Sequence, residues 1–328
     1  MSNVLFKNVI RVMIVSGIAL LPVLTSVGCS ANTTPQSTGS DSQESSQSQS
    51  SENVEVETDN LPEVKQSVDA YSWDELSEIA AAISEAGSED AAIDIAKRQN
   101  LTTADGKLDG TQTKSIVLSD GTDVAVQITG FYHDDKTSGG KAGITFIFKD
   151  AIARHDMNPD VPNPNGGFNL VSTNAGGWKD SQMRSWLASE GMNMLPDDLK
   201  SVLVEVDKKT NNVGETESVS SVTTTADKLW LYSLTELCGK VGEGSTHAYY
   251  DVLNAEGTEY KLYRDMNVKS NDKNAILVKR FEEESCVWWE RSPHPNQSNQ
   301  FRFVYSDGYP GIANYVEPPH DVVPGFCI

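Results

Sequence analysis

The sequence predicts an α+β protein, in which a small helical hairpin precedes a domain of antiparallel strands and long loops. Between residues 72 and 99, apolar side chains recur at the three- and four-residue spacing of helices. From Ser115 onward apolar and polar side chains alternate, and a tight-turn signal at Asp120-Gly121 joins two such segments. This change of period along the chain indicates the fold class.

The first 28 residues have the layout of a secretory signal sequence. An apolar stretch from Val12 to Val27 follows Lys7 and Arg11, and Gly28-Cys29 precedes an abrupt rise in polarity. A small residue before a lone cysteine is typical of lipoproteins, in which Cys29 would carry the lipid anchor. The alternative is an uncleaved anchor, because the apolar run is barely long enough to cross a bilayer. Both alternatives place the rest of the chain on the extracellular face of the cell membrane.

Three further segments follow this signal. Residues 29–66 are predicted to be a disordered tether, because serine, glutamine and acidic residues dominate and almost nothing is apolar. Residues 67–113 contain the helical hairpin, and residues 114–328 form the main surface domain.

The charge of the chain bears on its partners. The formal net charge is −21, the pI is near 4.5, and no basic cluster is present. Coulomb repulsion therefore disfavours a nucleic acid partner.

Capping residues delimit the two helices of the hairpin. Ser72 can cap the first helix, with Glu75 placed to complete a capping box. Gly87 ends this helix, and Ser88 can cap the second. Because helices this short are marginal alone, the hairpin needs a partner surface.

The middle of the chain predicts one amphipathic helix and several weaker elements. Met183 and Trp186 belong to its apolar stripe, Asp180 or Ser181 caps it, and Arg184 is expected to be held by a carboxylate. Further predictions are strands at residues 201–206 and 228–233, a capping box from Ser233 to Glu236, and a long loop with one helical turn at residues 242–272.

The C-terminal part opens with W-W-E-R-S-P, a predicted strand from Trp288 to Pro293. Side chains alternate along a strand, so one of Trp288 and Trp289 should face the core and the other the opposite side. Glu290 and Arg291 should also point apart, which leaves Arg291 to reach another carboxylate or backbone carbonyls. The next strand, around residues 301–305, has the alternation of a half-buried strand.

The cysteines allow one disulfide in an exported protein. Cys238–Cys286 is the favoured pair, with Cys327 as a buried small hydrophobe, although sequence alone leaves the connectivity open. The chain contains no C-x-x-C pair, so neither a zinc site nor a thiol-redox site is predicted. Asp134 and Asp135 in a polar loop are weak calcium candidates, because they lack a run of spaced oxygen ligands.

No catalytic motif stands out, and no cofactor is predicted. The sequence has no G-x-S-x-G, no H-E-x-x-H and no glycine-rich phosphate loop. The five histidines lie in predicted loops, where such side chains are usually solvated.

An ordered set of motifs resembles a known family. G-G-W-x-x-S-x-M-R-S-W-L, L-P-x-D-L-K-S-V, D-K-L-W-L, W-W-E-R-S-P and V-x-P-x-F-C-I follow one another between residues 117 and 328. This succession resembles a functionally uncharacterised domain family of surface proteins and lipoproteins, mostly from Gram-positive bacteria. The resemblance implies that the motif residues are structural, namely Trp178, Arg184, Trp186, Trp288, Trp289, Arg291, Pro324 and Phe326.

W-W-x-R-S-P and V-x-P-x-F also resemble the core of C-type-lectin-like and formylglycine-generating-enzyme-like folds. This resemblance implies a twisted antiparallel sheet with flanking helices and long loops. The nearest match to the calcium-dependent sugar-binding triplet is Glu317-Pro318-Pro319, which lacks the asparagine. Cys286 and Cys327 do not occupy the positions of the second family's cysteine pair.

These observations predict a non-catalytic surface module that binds a protein or a glycan through its loops. The candidate loops are residues 131–143, 241–272, 294–300 and 314–321. Their tyrosines could stack on a sugar or contact a protein, and these are Tyr249, Tyr250, Tyr309 and Tyr315. The alternatives are an enzyme acting on cell-wall or host glycans and a structural component of the envelope.

Overall fold

The computed structural model describes residues 61–163, 170–316 and 319–328. The signal-like segment, Cys29, most of the tether and Glu317-Pro318 lie outside the described residues. Within the described ranges, no helix combines the length and apolarity that crossing a membrane requires. The helices are α1 (Trp73–Ser84), α2 (Glu89–Arg98), α3 (Gln182–Trp186), α4 (Met192–Met194), α5 (Asp197–Val202), α6 (Leu234–Cys238), α7 (Ala248–Asn254) and α8 (Lys261–Asp265).

Short helical turns and many strands complete the secondary structure. The turns are Val68–Ala70, Leu187–Gly191, Val219–Ser221 and Ala275–Leu277. The strands are β1 (Thr113–Val117), β2 (Asp123–Phe131), β3 (Ile144–Phe148), β4 (Ala153–His155), β5 (Val161–Pro162), β6 (Leu170–Val171), β7 (Val206–Asn211), β8 (Val222–Asp227), β9 (Lys279–Phe281), β10 (Glu284–Cys286), β11 (Trp288–Pro293), β12 (Gln300–Val304), β13 (Ile312–Tyr315), β14 (His320–Val322) and β15 (Gly325–Cys327).

The strands form small sheets, which confirms the predicted α+β class. One sheet has the order β1-β2-β3-β15 with antiparallel neighbours throughout. A second has the order β13-β12-β11-β14-β4, in which only the β11–β14 pair is parallel. The ribbons β7-β8, β9-β10 and β5-β6 are antiparallel.

The helical hairpin shares its core with the sheets. Ser72 and Glu75 form the predicted capping box, and Ser88 caps α2. Trp73 packs edge-on against Phe146 of β3 and Phe326 of β15, with ring centroids 5.6 and 6.0 Å apart. All of these residues belong to one compact unit, Val54–Ile328. The sheets are thus the partner surface that the hairpin requires.

The W-W-E-R-S-P segment is β11, and its residues are buried on both faces of the sheet. Trp288 donates to the carbonyl of Leu277 at 3.0 Å, and Trp289 donates to that of His155 at 2.9 Å. Both rings are fully buried. The prediction that only one tryptophan faces the core was wrong, because layers of the fold cover both sides of this central strand.

Several local predictions also failed. Residues 242–272 contain the helices α7 and α8 rather than one turn in a long loop. The predicted strand at residues 201–206 is the end of α5 followed by the start of β7, and residues 228–233 form only one bridge, from Trp230 to Gly325. In β12 Arg302 is as buried as Phe301 and Phe303, so this strand is not half-buried.

The predicted Cys238–Cys286 disulfide is absent, since both thiols are free and buried. Cys238 ends α6, where burial and the nearby carboxylate of Glu290 raise the pKa of its thiol. Cys286 ends β10, where burial and Asp321 raise the pKa of its thiol to about 12. The two side chains therefore lie in different surroundings, while Cys327 is buried as expected.

Candidate functional site

A groove of about 810 Å³ opens between the segment after α6, the start of α7 and the turn from β12 to β13. We call this surface the tyrosine groove. Its aromatic and charged lining consists of Tyr249, Tyr250 and Tyr309, together with Arg302, Lys240, Lys269, Glu243 and Glu259. Aromatic faces beside charges of both signs suit a polar ligand that also has an apolar face.

Tyr249 and Tyr250 form an aromatic wall at the start of α7. Their ring centroids are 4.0 Å apart, and the ring planes are inclined by 32°. Gly242 lies against the Tyr250 ring with a φ of 69°, and a Cβ atom there would overlap the ring. Burial and the Tyr250 hydroxyl raise the pKa of Tyr249 to about 12. The Tyr249 hydroxyl is therefore protonated at neutral pH and can both donate and accept hydrogen bonds.

Arg302 of β12 lies at the bottom of the groove and is only 6% exposed. The single hydrogen bond from its guanidinium group to the described residues runs from Nη1 to the carbonyl of Gly311, and its Nε has no partner. Among the described ion pairs, none includes Arg302. An unpaired buried cation is costly, because its charge has lost water without gaining a counter-charge.

Glu290 of β11 is fully buried next to the groove residue Gly311. Its Oε1 accepts a hydrogen bond from the backbone of Gly311 at 2.9 Å, whereas its buried Oε2 has no partner. Burial raises the pKa of Glu290 to about 7, with a smaller contribution in the same direction from Glu256. Gly311 thus connects Glu290 through its N–H group with Arg302 through its carbonyl.

A second set of charges is fully paired inside the fold. We call Asp134, Lys208, Glu236 and Arg291 the buried ion cluster. Lys208 Nζ lies 2.7 Å from Asp134 Oδ1 and 2.6 Å from Glu236 Oε1. Arg291 binds Glu236 through both terminal nitrogens and also donates to the carbonyls of residues 209, 231 and 256. The predicted carboxylate partner of Arg291 is therefore Glu236.

The pKa values of the buried ion cluster follow from this pairing. Burial alone would raise the pKa of the Asp134 carboxyl, but Lys208 holds it well below its usual range. Arg291 and Lys208 likewise lower the pKa of Glu236 despite its burial. A cavity of about 400 Å³ borders these groups. The Asp134 carboxylate accepts hydrogen bonds from Lys208 and Tyr260, so its oxygens bind protein groups rather than calcium.

Four of the five histidines from the predicted loops are partly buried, whereas His247 is exposed. His133 stacks on Tyr260 with centroids 4.0 Å apart, and His320 packs on Trp289 at 4.4 Å. Burial and the nearby Arg302 guanidinium lower the pKa of His294 to about 4. In the described part of the chain, no group of three histidine, cysteine or acidic side chains is placed to hold a metal ion.

The structure gathers three of the four predicted ligand-facing tyrosines. Tyr249, Tyr250 and Tyr309 line the groove, whereas Tyr315 lies on β13, is 52% exposed and is not part of its lining. Sequence reasoning missed Arg302, although an arginine flanked by two phenylalanines in a strand was a usable signal.

The residues implied to be structural are part of the scaffold. Arg184 Nε contacts Asp227 Oδ1 at 2.6 Å, and Trp178 donates to the other oxygen of that carboxylate at 3.1 Å. Trp186 is partly buried against the core, Phe326 belongs to the ring cluster around Trp73, and the carbonyl of Pro324 accepts a hydrogen bond from β3.

The fold and the groove together define an α+β domain in which a paired ionic core supports a loop-built surface. Residues 142–328 match the model of a family described as a domain of unknown function (DUF6273). The match covers more than half of the 328 residues, so the chain belongs to this family. It includes β11, the buried ion cluster apart from Asp134, and the entire lining of the tyrosine groove. Neither the curated proteins nor the solved structures provide a match to this chain.

Proposed function

We propose that this chain is a non-catalytic lipoprotein module that is anchored at the extracellular face of the cell membrane and binds an external ligand in the tyrosine groove. The observation that carries the proposal is the convergence of Tyr249, Tyr250 and Tyr309 around the buried, unpaired Arg302. Aromatic rings at a surface supply contact area at low entropic cost, and buried donors supply specificity.

Two further parts of this proposal rest on the sequence. Cys29 would carry the lipid, and residues 29–66 would hold the domain away from the membrane as a tether. A C-type-lectin-like arrangement would account for long connections that build one surface beside a five-stranded sheet.

The test is a binding screen of the full-length protein against glycan arrays and extracellular protein extracts, with and without calcium. We expect a ligand whose binding is weakened by Tyr250→Ala and unaffected by Tyr315→Ala, since Tyr315 lies outside the groove. The absence of any ligand across glycans and proteins would contradict the proposal and favour a structural envelope component.

One observation favours a second candidate, an enzyme acting on glycans. Burial raises the pKa of both Glu290 and Glu256 to about 7, a value suited to acid–base catalysis. Both side chains are fully buried, however, and Glu290 already binds Gly311. Hydrolysis of a bound glycan that is lost in Glu290→Gln, with binding retained, would favour the enzyme over the binding module.

A further inference from the structure

The chemical class of the ligand can be inferred from Arg302, the buried cation that lines the groove. Lys208 and Arg291 each contact carboxylate oxygens, whereas the buried Lys114 and Lys279 donate to backbone carbonyls. Arg302 contacts none within the described residues, and two of its three guanidinium nitrogens have no protein partner there. A carboxylate in direct contact with the Arg302 guanidinium is therefore expected to come from a ligand.

Glu290 attracts Arg302 electrostatically but does not contact it. Its Oε1 is occupied by the backbone of Gly311, and it forms no ion pair with Arg302. A carboxylate bound to a guanidinium has a lowered pKa, as Glu236 has beside Arg291. The pKa of Glu290 is instead raised to about 7, because burial outweighs the attraction of Arg302.

We propose that the tyrosine groove binds a glycan through an acidic sugar, whose carboxylate accepts hydrogen bonds from Arg302 while its ring packs against Tyr249 and Tyr250. This inference rests on the proposed function, because it assigns a ligand class to the same groove. Guanidinium and carboxylate match in geometry and form charge-assisted hydrogen bonds, which are among the stronger contacts available to a ligand.

The rest of the lining favours an isolated acidic sugar over an acidic peptide. Glu243 and Glu259 also line the groove, and these carboxylates would repel a second anion but can accept hydrogen bonds from sugar hydroxyls. The net charge of −21 repels polyanions in the same way. One carboxylate among many hydroxyls suits this lining, in which Arg302 is the buried cation, Glu243 and Glu259 are acceptors, and Lys240 and Lys269 are further donors for hydroxyl groups.

The test compares two probes that differ by one charge. The acid probe is a disaccharide of glucuronic acid linked to glucose, and the neutral probe is its methyl ester. We expect the full-length protein to bind the acid at least about tenfold more tightly than the ester in calorimetric titrations, given the usual strength of hydrogen bonds to charged groups. Arg302→Gln should abolish this ratio, Arg302→Lys should retain part of it, and Arg280→Gln, outside the groove, should leave it unchanged.

A second variant keeps the test informative if Arg302→Gln fails to fold. Glu259→Gln leaves the guanidinium in place and removes a neighbouring negative charge, so it should raise the ratio of acid to ester affinity by about threefold. Near-ultraviolet circular dichroism checks the fold of each variant.

The outcomes separate the inference from the proposed function. Equal binding of acid and ester, with sensitivity to Tyr250→Ala, would overturn the acidic sugar and preserve a ligand-binding groove. Tighter binding of a hexaglutamate peptide than of the acid probe would overturn it in favour of a protein ligand. Failure of both sugars and the peptide to bind would overturn the acidic sugar, whereas only the absence of any ligand in the wider screen would overturn the binding module.

Discussion

Arg291 and Arg302 lie on neighbouring strands and differ in one respect. Both side chains are buried. The Arg291 guanidinium donates hydrogen bonds to Glu236 and to backbone carbonyls, whereas the Arg302 guanidinium donates only to the carbonyl of Gly311 among the described residues. Because burial is similar, the difference cannot come from solvent access. The two arginines differ in their partners. The charge of Arg291 stabilises the interior, and the charge of Arg302 is the one proposed to bind a ligand.

The largest expected effect is on stability, when each arginine is replaced by methionine. Arg291→Met leaves Glu236 in the interior with Lys208 as its single cationic partner, and it should lower the free energy of unfolding by about 3–5 kcal/mol. Arg302→Met breaks no ion pair and should cost about 1 kcal/mol, the contribution of one hydrogen bond. Urea denaturation of both variants measures the difference. Equal losses of unfolding free energy in the two variants would contradict the view that Arg291 is paired and Arg302 is not.

The next effect is a dependence of stability on pH. Glu290 has a pKa of about 7 in the folded protein against 4.5 ordinarily, so the folded state binds the extra proton between these values. Protonated Glu290 therefore adds about 3 kcal/mol to the free energy of unfolding. This contribution is fully present below pH 4.5 and is lost as the pH rises through 7. Glu256 acts in the same direction. Asp134 and Glu236, with lowered pKa values, lose their stabilising contribution only at much lower pH.

Glu290→Gln tests this pH dependence, since an amide stays uncharged. The fall in unfolding free energy between pH 5 and pH 8 should be smaller in the variant than in the parent by about 3 kcal/mol. Comparison with the parent cancels the opposite contribution of His294, whose pKa of about 4 favours the folded state as pH rises. Identical slopes would show that Glu290 is ionised in the folded protein at neutral pH.

The smallest effect concerns the aromatic wall. Tyr250→Ala should weaken binding of a glycan ligand by about five- to tenfold, which corresponds to loss of about 1 kcal/mol of aromatic contact. Tyr315→Ala is the matched control, because this exposed tyrosine lies outside the groove. If both variants weaken binding equally, the ligand lies along β13 rather than in the groove.

Capping signals and strand periods predicted much of the fold. Ser72, Ser88 and Ser233 cap helices as expected, and the Asp120-Gly121 turn joins β1 to β2. The helices α7 and α8 escaped prediction, because seven and five residues are too few to show a helical period. Local signals were reliable where one or two residues determine the backbone.

The site was less predictable, because it depends on contacts between distant residues. Arg291 was expected to reach a carboxylate, but Glu236 was noticed only as part of a capping box, which it also completes. The two residues are 55 positions apart, and no local pattern connects them. Arg302 was overlooked for a related reason, since the alternation around it predicted a solvent-facing side, whereas the folded chain buries this side chain.

The pairing of β3 has a practical consequence for the boundary of the domain. The family match begins at residue 142, two residues before β3, so β2 falls outside it although β2 and β15 flank β3 on either side. A fragment cut at that point would leave a bare strand edge and remove Trp73 from Phe146. Bare edges promote association between chains. Expression of the domain should therefore begin before the hairpin, at about residue 61.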